Sequence, residues 1–268
     1  MRLWIFHLFG LALCLSTKAQ NQQSSCNCPG EKSGKGTIYV GMGFHRVFFT
    51  NSDIHFRDVK TSNYDFTLYN VKAKDDNDFS VGKGFDAPQY SFRLGYYFKK
   101  KPGIGVEFSF DHVKYIAIQN QKLHVSGQIN GVKLDKDTIM TNDFVEYEHT
   151  DGANYYMANF IKRKTLLKSQ NEKHWLSLEL KPGIGIVLPR TDSRIMGKHR
   201  DDTYHLSGYV LGIDAGLRYD LFKHFFIETT ARGAYANYLD VVLYGEGKAS
   251  QHWWSLQTIA IAGFQFPL

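Results

Sequence analysis

The chain has 268 residues, 43% hydrophobic and 15% aromatic, with 24 glycines against 6 prolines and a formal charge of +6 at pH 7. That length holds one large or two small domains, and the aromatic and glycine content suits pleated strands and tight turns better than helices. The Lys and Arg residues form no stripe of the kind that binds nucleic acid, so no nucleic-acid partner is expected.

Residues 1–19 read as a signal peptide. Arg2 gives a positive start, "LWIFHLFGLALCLS" (Leu3–Ser16) is an apolar run of the right length, and Thr17-Lys18-Ala19 puts small residues at −3 and −1 of a cleavage before Gln20. Losing Arg2 and Lys18 takes the charge from +6 to +4. Cys14 leaves with this segment, and Leu13 before it is too large for a lipoprotein site. Residues 20–35 read as a flexible periplasmic lead-in. Its Cys26 and Cys28 are too close for an unstrained disulfide and have no further metal ligands spaced nearby. Beyond it no apolar run reaches 18 residues, which excludes a membrane-crossing helix but not a membrane barrel.

From residue 36 to 268 the chain alternates with period two, a strand signal. In "TIYVGMGFH", Ile38, Val40, Met42 and Phe44 oppose Thr37, Tyr39, Gly41, Gly43 and His45. "QYSFRLGYYF" sets Tyr90, Phe92, Leu94, Tyr96 and Phe98 against Gln89, Ser91, Arg93 and Gly95. "IGVEFSFDH" sets Ile104, Val106, Phe108 and Phe110 against Gly105, Glu107, Ser109 and Asp111. "NYYMANFIKR" is less regular, with Asn159 and Arg163 on its polar face. "SLELKPGIGIVL" (Ser177–Leu188) has one oily face, while Glu179, Lys181, Gly183 and Gly185 share the other. Pro182 removes a ladder donor there, so a local bulge or kink is expected. "GYVLGIDAGLRY" places Asp214 and Arg218 on its polar face, and "FIETTARGAYA" places Glu228 and Arg232. "WSLQTIAIAGFQFPL" closes the set.

Short links at Lys99–Gly103, Lys164–Lys173 and Asp220–His224 alternate with long connections at Asn51–Pro88, Ala117–Asp151, Thr191–Tyr204 and Val241–Gln251. The fold class is therefore all-β: an eight-stranded antiparallel up-and-down transmembrane β-barrel with long extracellular loops. The first two loops are too long to be structureless. Tyr64–Ala73 and Lys122–Leu134 look strand-like and predict hairpins above the barrel, with a tight Asn-Gly turn in Gln128–Gly131.

The polar faces carry Arg93, Arg163, Lys181, Arg218 and Arg232 against Glu107, Asp111, Glu179, Asp214 and Glu228. A solvated exterior needs no such balance, whereas an enclosed interior does. Glu179 and Lys181 should pair with neighbours such as Glu107, Arg163 or Arg218. Aromatics gather at both strand ends of the oily face: Tyr96, Phe98, Tyr219, Phe264 and Phe266 at one, Phe44, Tyr90, Phe110, Tyr209 and Trp254 at the other. Such belts suit two membrane interfaces, so the polar face is read as the lumen.

On the signal peptide, this strand layout, "PQYSFRLGYYF", "HTDGANYYMANF" and the closing "GFQF" (Gly263–Phe266), the chain from Gly36 to Leu268 resembles small outer-membrane barrels of the OmpA/OmpX type. More narrowly, it resembles an outer-membrane β-barrel group of Bacteroidetes-type bacteria. The resemblance implies export to a Gram-negative outer membrane, insertion by the barrel-assembly machinery, and outer-membrane lipid and lipopolysaccharide as surroundings. The chain ends in Pro267-Leu268 rather than on the aromatic such assembly signals carry.

Three functions compete. The first is a non-enzymatic barrel with a charge-filled lumen, presenting its loops for structural or binding roles toward a ligand the sequence does not name. The second rests on a likeness to lipid A deacylase-type barrels: Ser207 as nucleophile, His205 as general base and Asp240 as the acidic partner. His149 and Asp151 in "EHTDGAN" faintly echo such a site. The third is a narrow, porin-like solute pore, for which eight strands leave little bore. His45 reads as an interior hydrogen-bonding residue, and Asp75, Asp76 and Asp78 read as solvated loop, since they lack the spacing of a calcium hand. No cofactor or metal is expected.

Overall fold

The computed structural model describes residues 36–76, 89–101, 103–201 and 203–268. The expected signal peptide and lead-in (residues 1–35, with Cys26 and Cys28), Asp78 and Pro102 lie outside the described residues. The strands in chain order are β1 (Thr37–Phe49), β2 (Ser52–Asp58), β3 (Tyr64–Val71), β4 (Ala73–Lys74), β5 (Tyr90–Tyr97), β6 (Ile104–Asp111), β7 (Tyr115–Ala117), β8 (Lys122–Ile129), β9 (Val132–Ile139), β10 (Val145–His149), β11 (Tyr155–Lys168), β12 (His174–Val187), β13 (Asp192–Ile195), β14 (Lys198–Arg200), β15 (Gly208–Leu221), β16 (Phe225–Val242) and β17 (Lys248–Pro267). The fold is all-β and antiparallel, and no helix occurs among the described residues.

Hydrogen-bonded neighbours run β1–β5–β6–β11–β12–β15–β16–β17, and β17 pairs again with β1 from Thr37↔Pro267 to Phe49↔Ser255. Alternation explains the faces of this wall. On β12, Ser177, Glu179 and Lys181 are buried while Leu178, Leu180, Ile184 and Ile186 are exposed. Along the wall the exposed positions are oily, with Met42 at 60% and Ile184 at 62%.

Pro182 produces no bulge. Pairing of β12 with β11 lapses between Lys162↔Leu180 and Asn159↔Gly183 and resumes in the same register, while the other edge holds Pro182↔Ile213. One missing donor is absorbed because the flanking rows fix the register. The shift in this hairpin lies instead between Thr165 and Leu167, near its turn.

The long connections are more ordered than loops. At its outer end β17 pairs with β2 through Lys248↔Arg57 to Gln251↔Ile54, and the sheet continues through β3, β8 and β9. The β8–β9 hairpin turns on Asn130 (φ 52) and Gly131 (φ 77), the left-handed pair that an Asn-Gly turn needs. A second sheet, β14-β13-β10-β7-β4, draws its strands from three different connections. The two sheets pack face to face over an apolar core: Phe56 meets Tyr147 edge-on at 5.5 Å, and Phe66 stacks on Phe144 at 5.6 Å. The stretch Val241–Gln251, expected as a long loop, is mostly strand, because β16 runs to Val242 and β17 starts at Lys248.

Candidate functional site: a buried charge lattice and the His205 corner

The strongest concentration of chemistry is the buried face of the wall. Antiparallel register sets opposite charges side by side on neighbouring strands: Arg163↔Glu179, Lys181↔Asp214, Asp214↔Arg232 and Arg218↔Glu228. All ten charges singled out from the sequence are buried there. Toward the loop end, Arg93 reaches Asp111 at 2.9 Å and Glu107 at 3.7 Å. Arg232 pairs with Asp111 and reaches Asp214 through Nε and Nη2 at 2.5 and 2.8 Å. Lower down, Lys181 Nζ contacts Glu107 and Glu179 at 3.0 Å and Glu228 at 2.6 Å. Nearest the short turns, Arg163 joins Glu179 at 3.5 Å and also pairs with Asp220, which Arg218 Nε meets at 3.0 Å.

Neutral groups complete the coordination. Tyr39 donates to Glu107 at 2.5 Å, Tyr97 donates to Glu179, and Asn159 Nδ2 donates to Ser109 at 3.0 Å. Tyr39 lies over Gly95, where an added Cβ would fall 2.2 Å from its ring. The Arg218 guanidinium sits 3.5 Å above Phe226 and 4.5 Å above Tyr39, a cation–π stack in a dry site.

Asp220 is the residue that sequence reading missed, because it was assigned to a turn. It continues the inward parity of Asp214 and Arg218 by one more step, and that signal was available. Counting it, Arg93, Arg163, Lys181, Arg218 and Arg232 (five) face Glu107, Asp111, Glu179, Asp214, Asp220 and Glu228 (six), a balance of −1.

The other candidates fall elsewhere. His205 Nε2 lies 3.3 Å from Asp240 Oδ2, and Lys248 holds the other oxygen of Asp240 at 2.9 Å. Ser207 is only 1% exposed, not open on the oily face, and its hydroxyl lies 3.1 Å from the main-chain carbonyls of His205 and Asp240. The hydroxyl donates its hydrogen bond toward those carbonyls rather than to the His205 imidazole, so His205 and Asp240 are brought together but the nucleophile is turned away.

His149 and Asp151 diverge. Asp151 pairs with Arg190 at 3.2 Å, whereas His149 is fully buried in the loop module, its Nδ1 2.9 Å from Thr191 Oγ1 and its ring stacked on Tyr238. Burial holds its imidazole down to about 3, so it is neutral. His45 is buried, 2.9 Å from Ser91 Oγ. Asp75 and Asp76 are held by ion pairs: Asp75 binds Arg46 on β1 at 2.7 Å, and Asp76 binds Lys114, just before β7, at 2.9 Å.

No family model and no curated protein matches the chain. Solved structures to which it is similar include three bacterial surface and outer-membrane proteins. The attachment invasion locus protein Ail of Yersinia pestis shares 14% identity over 87% of this chain and 99% of its own, with a TM-score of 0.29. Neisserial surface protein A shares 9% over 82% and 95%, with a TM-score of 0.30. OprG from Pseudomonas aeruginosa shares 13% over 87% and 97%, with a TM-score of 0.39.

Proposed function

We propose that the chain is a non-enzymatic, eight-stranded closed barrel of the bacterial outer membrane, its lumen filled by paired charge and its loop module presented outside. The observation that carries this reading is the inversion of the wall. Eleven ionisable side chains are buried and interlocked on one face, and a band of leucine, isoleucine and phenylalanine is exposed on the other. In water that arrangement exposes oil and buries charge at once. In a bilayer both faces are matched, and a sheet whose last strand pairs with its first presents no open edge to hydrocarbon.

The engagement of Ser207 by main-chain carbonyls supports a structural or binding role over a hydrolytic one. In this reading the first nineteen residues direct export, the barrel-assembly machinery inserts the wall, and lipid and lipopolysaccharide surround it. The β2–β3–β8–β9 hairpins and the second sheet then cap the lumen and offer the surface a partner meets.

Planar-bilayer recording of the purified full chain tests the filled lumen. No discrete conductance steps are expected, and a steady open-channel current would overturn the plug. Release from membranes by carbonate or high salt without detergent would overturn the membrane reading itself.

A further inference from the structure

The surface charge of the molecule is lopsided. At the loop end most exposed cations have an acid beside them: Lys60 with Glu246, Lys122 with Asp137, Arg190 with Asp151 and Asp201, Arg194 with Glu146, Lys248 with Asp240. At the short-turn end the exposed side chains include Lys99, Lys100, Lys101, Lys164, Lys173 and Lys223, and among the described residues no ion pair joins any of these six to a carboxylate. Lys168 pairs with Glu172 at 2.8 Å. Asp220, the other acid of these turns, is buried under Arg163 and Arg218 and offers the rim nothing. All three short turns contribute lysine, so the charge forms a collar rather than a spot.

The collar alternates with oil. Phe98 precedes Lys99, Phe222 precedes Lys223, and Leu166 and Leu167 (66% exposed) precede Lys168. Lys162 stands on the outward face of β11 between Phe160 and Lys164, opposite Leu180 and Ile104. A lysine among outward apolar side chains is satisfied when its stem lies along them and its ammonium reaches an interface. Apolar groups this close to the charges call for a hydrocarbon phase, which a hydrated polymer does not offer.

We propose that this lysine collar is a binding surface for anionic phospholipid headgroups, holding the periplasmic-side leaflet of the membrane against the turns. The inference rests on the membrane reading above. Each lysine near an anionic leaflet contributes roughly a fivefold gain in binding, and the effect fades as salt screens it.

The test uses the full chain folded into nanodiscs of phosphatidylcholine with phosphatidylglycerol, with native mass spectrometry counting the lipids that stay bound. Wild type should retain phosphatidylglycerol in preference to phosphatidylcholine, less so at high salt. A variant carrying Lys99→Gln, Lys100→Gln, Lys101→Gln and Lys223→Gln should lose that preference by roughly tenfold or more. Lys133→Gln with Lys136→Gln, on the far hairpin, should retain it. Insertion without any preference for phosphatidylglycerol, equal loss in both variants, or displacement of the lipid by soluble peptidoglycan fragments would each overturn the collar while leaving the barrel intact. Failure to insert even into pure phosphatidylcholine would overturn the membrane reading and the collar with it.

Discussion

The wall and the loop module are built from the same antiparallel strands and are packed in opposite senses. In the wall, Arg93, Lys181, Arg218 and Arg232 are buried and the leucines and isoleucines are exposed. In the module, Phe56, Phe66, Leu68 and Tyr147 are buried, while Lys60 and Asp135 stand in solvent at 77% and 85% side-chain exposure. Alternation is identical in both, so it reports strand geometry and not which face is wet. On the membrane reading proposed above, what separates them is the medium outside. Where hydrocarbon surrounds the sheet, the enclosed face must take the polar groups and pair them. Where water surrounds it, the enclosed face is oil and the hydrophobic effect holds it together.

The largest break in this contrast should come from inside the wall. Arg232→Met leaves Asp111 and Asp214 buried without their shared cation, at a cost of about 3–5 kcal/mol. Denaturant unfolding of the vesicle-inserted protein measures it. A loss below about 1 kcal/mol would mean that water reaches the lattice.

A matched pair of surface changes sharpens the comparison. Ile213→Lys, on the outward face of β15, should destabilise the inserted protein by roughly 2–4 kcal/mol. Val132→Lys, on β9 and exposed at 64% against 51% for Ile213, should fall within about 0.5 kcal/mol of wild type. Similar losses at both sites would place the same solvent around both regions.

The smallest effect is acid sensitivity confined to the module. His149 is held neutral by burial, with its pKa down to about 3 against an ordinary 6.5, and the groups around it are Thr191, Tyr115, Tyr147, Tyr238 and Trp253, none of them charged. The unfolded module therefore binds a proton below pH 6.5 that the folded one refuses until about pH 3. Stability is full above that window and falls through it, by about 2–3 kcal/mol at pH 4.5. Amide exchange in β7, β10 and β13 should quicken between pH 6.5 and 4.5 while the wall strands stay protected. His149→Phe should flatten the profile.

Much of this was legible in the chain. Period two assigned Glu179 and Lys181 to the polar face of their strand, and the Asn-Gly pair marked the β8–β9 turn, because both signals are local. Asp220 was legible as well, one step beyond where the strand was taken to end. Ser207 was not: it precedes β15, where alternation no longer holds, and its hydroxyl meets its own segment's His205 carbonyl and the Asp240 carbonyl brought in from β16.

What the sequence alone determined is which side chains share a face. It could not determine which of them meet. Arg232 finds Asp111 across 121 residues, and Lys181 finds Glu107 across 74, because the stagger and curvature of the sheet carry strands past one another. The second sheet is further still from local reading. Its strands of two to five residues are too short to announce themselves, and they form because Phe56, Phe66 and their neighbours on β2 and β3 offer an apolar face to cover. Facing is a property of the residue and its neighbours, whereas partnership is a property of the folded molecule.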